Sequence, residues 1–396
     1  MTKERLNVGI IGFGMIGKVH SFCYAALPYY APELAVTGRI THVATAHAET
    51  ARTAGKIIGC DVGTTDFREI TENPEIDVVH ICSPNDQHFP QLLSAIEHNK
   101  HIYCDKPLTA TLEEAEQLEA AFNRRDPQGK RLYTATFQMT FHLRFFAAIR
   151  RARQLITENR LGRIFRFQMG YYHSSSASPN APFRWKHDLN GGVIRDLVSH
   201  LLDLIDSLIG MPQEFLTETA IGYPTRPVRP LRPGESISDV PGRPVLSEES
   251  VIILTRGHDT AGNKINGSIE ATRLATGHED DFRLEINGEK GALRFSLMDP
   301  HYLEFFDASN SEHPYGGNSG WQKIAVGGRY ELPDSEFPSA KATTGWVRAH
   351  IASLSNFWQA IAGGEPGQPG LEQGVRIQRG LDAAMRSGQS GKWESF

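Results

Sequence analysis

The chain has 396 residues, 40% of them hydrophobic and 22% charged, with a formal net charge of -5. That length favours two domains and that composition a soluble globular protein. The acidic balance argues against a nucleic-acid partner, and no run of about 18 apolar residues is present to span a membrane. Cys23, Cys60, Cys82 and Cys104 form no C-x-x-C pair and no zinc spacing. They are expected to be reduced thiols of a cytoplasmic protein, with no metal centre. The first apolar run, residues 8–11, is too short for a secretory segment.

Residues 6–11 read as a strand and 15–26 as the helix after it. Strands at 40–45, 77–82, 101–104 and 131–137 then alternate with helices at 48–57, 87–98 and 112–122. This alternation predicts βαβ units and a parallel sheet, an α/β domain over 1–137.

The rhythm changes after residue 137. A helix at 145–158, a strand at 164–172 and a helix at 192–209 precede strands at 250–255, 265–272, 282–286, 292–296 and 302–306. Residues 287–291 (NGEKG) suggest a hairpin. The pattern predicts an α+β domain over 138–396 with a large open, mostly antiparallel sheet, its late helices (346–385) packing back across the domains. Residues 223–244, rich in Pro, Arg and Gly, are expected to be a solvated loop carrying Arg226, Arg229 and Arg232.

Gly12-Phe13-Gly14-Met15-Ile16-Gly17 fits G-x-G-x-x-G directly after a strand and at the start of a helix. In that context Gly12 permits a tight turn, Gly14 lets backbone approach a pyrophosphate, and Gly17 lets the helix pack on the strand. Helix N–H groups and the positive end of the helix dipole then face the phosphates, so the first domain is expected to be a Rossmann domain binding a dinucleotide. The second strand ends Val43-Ala44-Thr45-Ala46-His47, without the acid that usually holds the ribose of NAD. Thr45 or His47 can face the ribose instead, and His47 or Arg52 can meet a 2′-phosphate. NAD is the expected cofactor, with NADP left open.

Lys106 stands before Pro107 at the end of a strand. Proline holds its predecessor extended, and the carboxyl edge of such a sheet is where ligands bind. An ammonium there either stabilises a developing alkoxide or simply reaches solvent. In the second half, Asp196, His200 and Asp203 fall at i, i+4 and i+7 on one helix face, beside a leucine stripe. An acid and a histidine so placed can form a base and its orienting partner, or a satisfied structural pair.

The glycine loop followed by His20, the Cys104-Asp105-Lys106-Pro107 step, and Gly191-Gly192 leading to Asp196 and His200 resemble the glucose-fructose oxidoreductase / inositol dehydrogenase (Gfo/Idh/MocA) family. The likeness is to its branch acting on sugars and anhydrosugars, with levoglucosan and inositol dehydrogenase-like members. The resemblance implies a Rossmann domain followed by an α/β domain with an open sheet, and a homo-oligomer, dimer or tetramer. It implies that Lys106, Asp196 and His200 line the substrate site beside the nicotinamide. It places Cys82, Ser83, Pro84 and Asn85 on the cofactor, with His88 next to them; His88, Thr45, His47, Asp105, Lys106 and Gln138 are further expected cofactor contacts. Substrate contacts are expected from Tyr171, Tyr172, Arg184, Trp185, Lys186 and His187, with packing the alternative for Trp185. Three residues depart from the family pattern: Asp105 replaces a glutamate, the second strand lacks its acid, and Val198 replaces a glycine.

The activity so implied is hydride exchange between a nicotinamide cofactor and a CH–OH group of a sugar, anhydrosugar or cyclitol. Two other readings are an NAD-retaining glycosidase working by transient oxidation and elimination, and a non-catalytic cofactor-dependent sensor.

Overall fold

The computed structural model describes residues 4–259, 261–327, 337, 339, 341–343 and 345–396. The chain divides into two compact units, Met1–Phe145 with Gly327–Gln378, and Phe146–Val326 with Arg379–Phe396. Among the described residues no helix is long and apolar enough to cross a membrane.

The first unit begins β1 (Glu4–Ile11), α1 (Met15–Tyr30), β2 (Val36–Ala44), α2 (Ala48–Ile58), β3 (Val62–Thr64) and α3 (Arg68–Thr71). It continues β4 (Val78–Ile81), α4 (His88–Glu97), β5 (His101–Cys104), α5 (Leu112–Phe122) and β6 (Phe137–Met139). The six strands are parallel in the order β3-β2-β1-β4-β5-β6. The order reverses beside β1, which makes the carboxyl ends of β1 and β4 the switch point where doubly wound sheets bind ligands. All four residues of β4 are buried, as a strand covered on both faces requires. Helix α5 starts at a capping box in which Thr111 and Glu114 satisfy each other's backbone N–H.

The last strand differs from expectation. Pairing with β5 covers only Phe137–Met139, because side chains satisfy the backbone before it: Thr134 N donates to Asn99 Oδ1 (2.8 Å) and Thr136 N to His101 Nδ1 (3.0 Å).

The second unit holds α6 (Ala147–Thr157), β7 (Ile164–Tyr172), a π-helical turn (Ile194–Val198) and α7 (Ser199–Ile209). Strands β8 (Glu214–Ala220), β9 (Thr225–Pro227), β10 (Gly242–Pro244), β11 (Ser250–His258), β12 (Lys264–Thr272) and β13 (Asp281–Gly288) follow. Then come β14 (Gly291–Ser296), β15 (Tyr302–Asp307) and β16 (Trp321–Ala325), helices α8 (Trp346–Gly363) and α9 (Leu371–Ser390), and β17 (Glu394–Ser395). A sheet runs β16-β15-β14-β13-β7-β12-β11-β8-β17, antiparallel throughout except for the parallel pair β7–β12. Burial in β11 alternates residue by residue, which is the signature of a sheet with one covered and one open face. Helix α8 belongs to the first unit, where Phe357 and Trp358 pack with Tyr24, Leu27 and Tyr30 of α1.

Residues 223–244 are not simply solvated. Strands β9 and β10 pair within them, and Arg226 is fully buried on Glu249 (2.6 Å), Ser176 O and Ser178 O. A buried guanidinium persists because these acceptors replace its water. Arg229 pairs with Glu235 at 2.6 Å, and Arg232 is exposed as expected.

The core of the first unit also contains imidazoles. His20 and His80 stack at 4.6 Å, His142 and His350 at 4.1 Å, and His20 Nε2 lies 3.2 Å from His350 Nδ1. Ligating atoms of His20, His80 and Cys82 lie within 4.8 Å of one another. The His20 and His80 rings stack with their planes 29° apart.

Candidate functional site

The glycine loop of the first unit is built from backbone contact. Gly12 has φ +93°, and a Cβ there would stand 2.6 Å from the Cys82 carbonyl. A Cβ on Gly17 would stand 2.3 Å from Gly12 O. Gly14 is different: its Cβ would meet nothing within 4 Å. It is the N-cap of α1 and provides no side-chain cap, which leaves the first-turn N–H groups of a 16-residue helix for an anion. Phe13, Met15 and Ile16 complete the loop, with Met15 exposed. These features fit a dinucleotide pyrophosphate.

Two substitutions should separate the roles. Gly12→Ala is expected to lower the melting temperature, since it must strain φ and displace the end of β4. Gly14→Ala should leave melting unchanged while weakening NAD binding about tenfold, on the order of 1.4 kcal/mol. Equal melting and equal NAD affinity for Gly14→Ala and wild type would contradict the cradle.

At the adenosine end, β2 stops at Ala44 with no carboxylate. The Thr45 and Thr50 hydroxyls meet at 2.6 Å above the His47 carbonyl, and the His47 side chain is exposed at the N-cap of α2. After β4, Ser83 Oγ donates to Gln91 Oε1 (2.7 Å), and Pro84-Asn85 opens a short turn with Asn85 buried. His88, expected on the cofactor, is 1% exposed and wedged between Ser83 O (2.9 Å) and Pro107 O (3.0 Å). It ties the end of β4 to the lysine step.

Asp105 Oδ1 accepts from Lys106 N (2.9 Å) and Thr140 Oγ1 (2.8 Å), which fixes the backbone on which Lys106 stands. The Lys106–Pro107 peptide is cis, and Lys106 is half-buried. Gln138 stands apart from this group. It is fully buried, its amide donating to Ser353 O (2.9 Å) and accepting from Asn356 Nδ2 (2.9 Å), so the side chain anchors α8.

In the second unit, Asp196 lies in the π-helical turn and His200 in the first turn of α7. The wider turn breaks the regular 3.6-residue register assumed across Asp196, His200 and Asp203; such π-turns recur at functional sites. Asp196 is 8% and His200 6% exposed, whereas Asp203 is fully buried. Asp196 Oδ2 accepts from Lys186 Nζ (2.6 Å) and Arg273 Nη2 (2.8 Å). The Tyr171 ring lies 6.0 Å from that of His200, and its hydroxyl donates to Asp280 Oδ1 (2.8 Å). Burial, reinforced by Asp280, pushes the Tyr171 phenol well above its usual range, so it stays protonated. Burial lowers His173, which faces Asp280 at 3.4 Å.

Trp185 is 48% exposed with the Lys186 ammonium 5.7 Å over its ring, which argues against a packing role. His187 and Tyr172 are engaged elsewhere, His187 with Ser176 and Glu249 and Tyr172 with Glu270. Arg184 N donates to His187 Nδ1, shaping the turn. Sequence reasoning missed Arg273 and Glu248. Arg273 directly follows β12, the strand paired in parallel with β7, and that adjacency is the signal that points to it.

Both units resemble known proteins. Residues 6–130 match the family model for an oxidoreductase family, NAD-binding Rossmann fold, and residues 153–395 its C-terminal alpha/beta domain. The chain is 30% identical to levoglucosan dehydrogenase of Pseudarthrobacter phenanthrenivorans, with 98% of each chain covered. It is 26% identical to inositol 2-dehydrogenase of Rhizobium meliloti, with 96% of each covered. A solved levoglucosan dehydrogenase in complex with NADH and levoglucosan superimposes with a TM-score of 0.88 at 28% identity over 99% of each chain. The two family models together span most of the chain, and the chain belongs to the Gfo/Idh/MocA oxidoreductase family.

Proposed function

We propose that this enzyme is an NAD-dependent dehydrogenase that oxidises a CH–OH group of a sugar, anhydrosugar or cyclitol. The observation that carries the reading is the group in the second unit: Asp196, Lys186, His200 and Tyr171 assembled beside a half-exposed Trp185. Charged and neutral hydrogen-bonding groups next to an aromatic face suit a polyhydroxylated ring, which offers hydroxyls on its rim and C–H bonds on its faces.

Bound NAD supplies the hydride acceptor. His200 removes the hydroxyl proton, a task suited to an imidazole near neutral pH. Lys106 stabilises the oxygen as negative charge develops. Asp196 orients the reacting group, and Trp185 and Lys186 hold the rest of the ring. The relatives named for levoglucosan and inositol support the substrate class, and a homo-oligomer is the assembly proposed.

The test is a screen of levoglucosan, other sugars and inositols against NAD and NADP separately, following nicotinamide reduction. Oxidation of at least one cyclic polyol with NAD is expected. Lacking a carboxylate at the end of β2 to repel a 2′-phosphate, the protein should also turn over NADP. Failure to oxidise any member of the panel with either cofactor would overturn the reading.

A further inference from the structure

Arg273 is 2% exposed, and its guanidinium reaches three points along residues 186–196. Nη1 donates to Lys186 O (3.1 Å), and Nη2 to Gly192 O (3.1 Å) and Asp196 Oδ2 (2.8 Å). The corner it binds is packed to backbone contact. Gly192 has φ +84°, and a Cβ on Gly191 would stand 2.3 Å from Lys186 O. Glu248 braces the other side, its Oε1 accepting from Ile194 N (2.9 Å) and its carbonyl from Val193 N (3.1 Å).

The two cations on Asp196 are not equivalent. The Lys186 side chain is 37% exposed and the Arg273 side chain 3%. An exposed ammonium is shared with solvent and contributes little to holding a partner. A buried guanidinium with a fixed fork acts at lower dielectric and in one orientation. Tyr171 and His173 at the end of β7 feel the charge of this carboxylate, while His200 follows it in α7 and Glu248 holds the backbone of the π-turn. Tyr171 is held neutral and His173 is lowered by burial, so neither offers Asp196 a competing positive charge at neutral pH.

We propose that Arg273 is a positioning residue of the dehydrogenase site: it holds the Asp196 carboxylate in one orientation on the turn that carries it. This rests on the reaction proposed above and names a residue that fixes the geometry of its site.

The experiment compares Arg273→Gln, Arg273→Lys and Lys186→Gln by kcat and KM for the best polyol across pH. Thermal unfolding and NADH binding are measured alongside to confirm folding. Arg273→Gln should lower kcat at least about tenfold and move the acid limb of kcat/KM to higher pH, because removing a nearby cation favours the protonated form of the group that titrates in the site. Arg273→Lys should restore the limb while recovering the rate only in part, since an ammonium cannot reproduce the fork. Lys186→Gln should raise KM more than it lowers kcat and leave the limb in place. An acid limb unmoved in Arg273→Gln, or moved more by Lys186→Gln, overturns the proposal. So does loss of folding in both Arg273 variants, which would make the residue structural. A wild-type protein that oxidises no polyol defeats the function reading; an active wild type with an unmoved limb defeats only this one.

Discussion

His200→Ala should lower kcat by roughly 10² to 10⁴, the usual contribution of a positioned general base. The side chain is 6% exposed at the start of α7, next to Tyr171 and two residues beyond the π-helical segment. Replacement by Ala leaves the buried Leu201, Leu204 and Leu208 of α7 in place. Melting should therefore change little while turnover collapses. His200→Asn keeps a polar side chain but cannot carry a proton away, so it should be nearly as slow. Lys106→Met should also lower kcat, by removing charge that acts only once the alkoxide forms. Steady-state rates over pH 6–9 on a polyol found by the screen check all three. A His200→Ala protein turning over at the wild-type rate would remove the imidazole from the chemistry.

Much of this was legible in the residues because each signal had a local cause. The glycine loop declares itself through positions where a Cβ cannot fit, and Gly12 and Gly17 meet backbone as their spacing requires. The parallel strands β1, β2, β4 and β5 follow from buried apolar runs separated by helices, and the β13–β14 hairpin from the glycine-rich stretch 287–291, whereas the three-residue β3 carries no such run. What was hidden depends on distant partners. β8 reads EFLTETA, a polar stretch that becomes a strand only because β11 and β17 pair with it. Arg226 looks like a loop arginine until Glu249, 23 residues away, takes its charge. Asp196 and His200 were found by helical spacing, yet the carboxylate's partners Lys186 and Arg273 are 10 and 77 residues distant. No periodicity reports such pairings, because a sheet brings them together. The π-turn was equally silent, since one extra residue per turn leaves no mark on composition.

Acid should destabilise the first unit well before its carboxylates are titrated. Burial pushes His20 down to about 4, with only partial opposition from Asp105, and holds His80 and His350 well below the usual imidazole range. In the unfolded chain each returns to about 6.5. Below that value the unfolded state binds more protons than the folded one, so stability present above pH 6.5 is lost as pH falls toward 4. His20 alone corresponds to about 3 kcal/mol across that window, and His80 and His350 act with the same sign. Both ring nitrogens of His80 are buried without a hydrogen-bond partner, a state that costs on the order of 1–3 kcal/mol even when neutral. His80→Leu keeps the volume between the His20 and Tyr103 rings and removes both penalties. The variant should therefore melt no lower than wild type at pH 7 and visibly higher at pH 5. Parallel thermal denaturation at the two pH values decides it: if wild type and His80→Leu lose the same number of degrees on acidification, the His80 imidazole does not contribute to the acid limit of this fold.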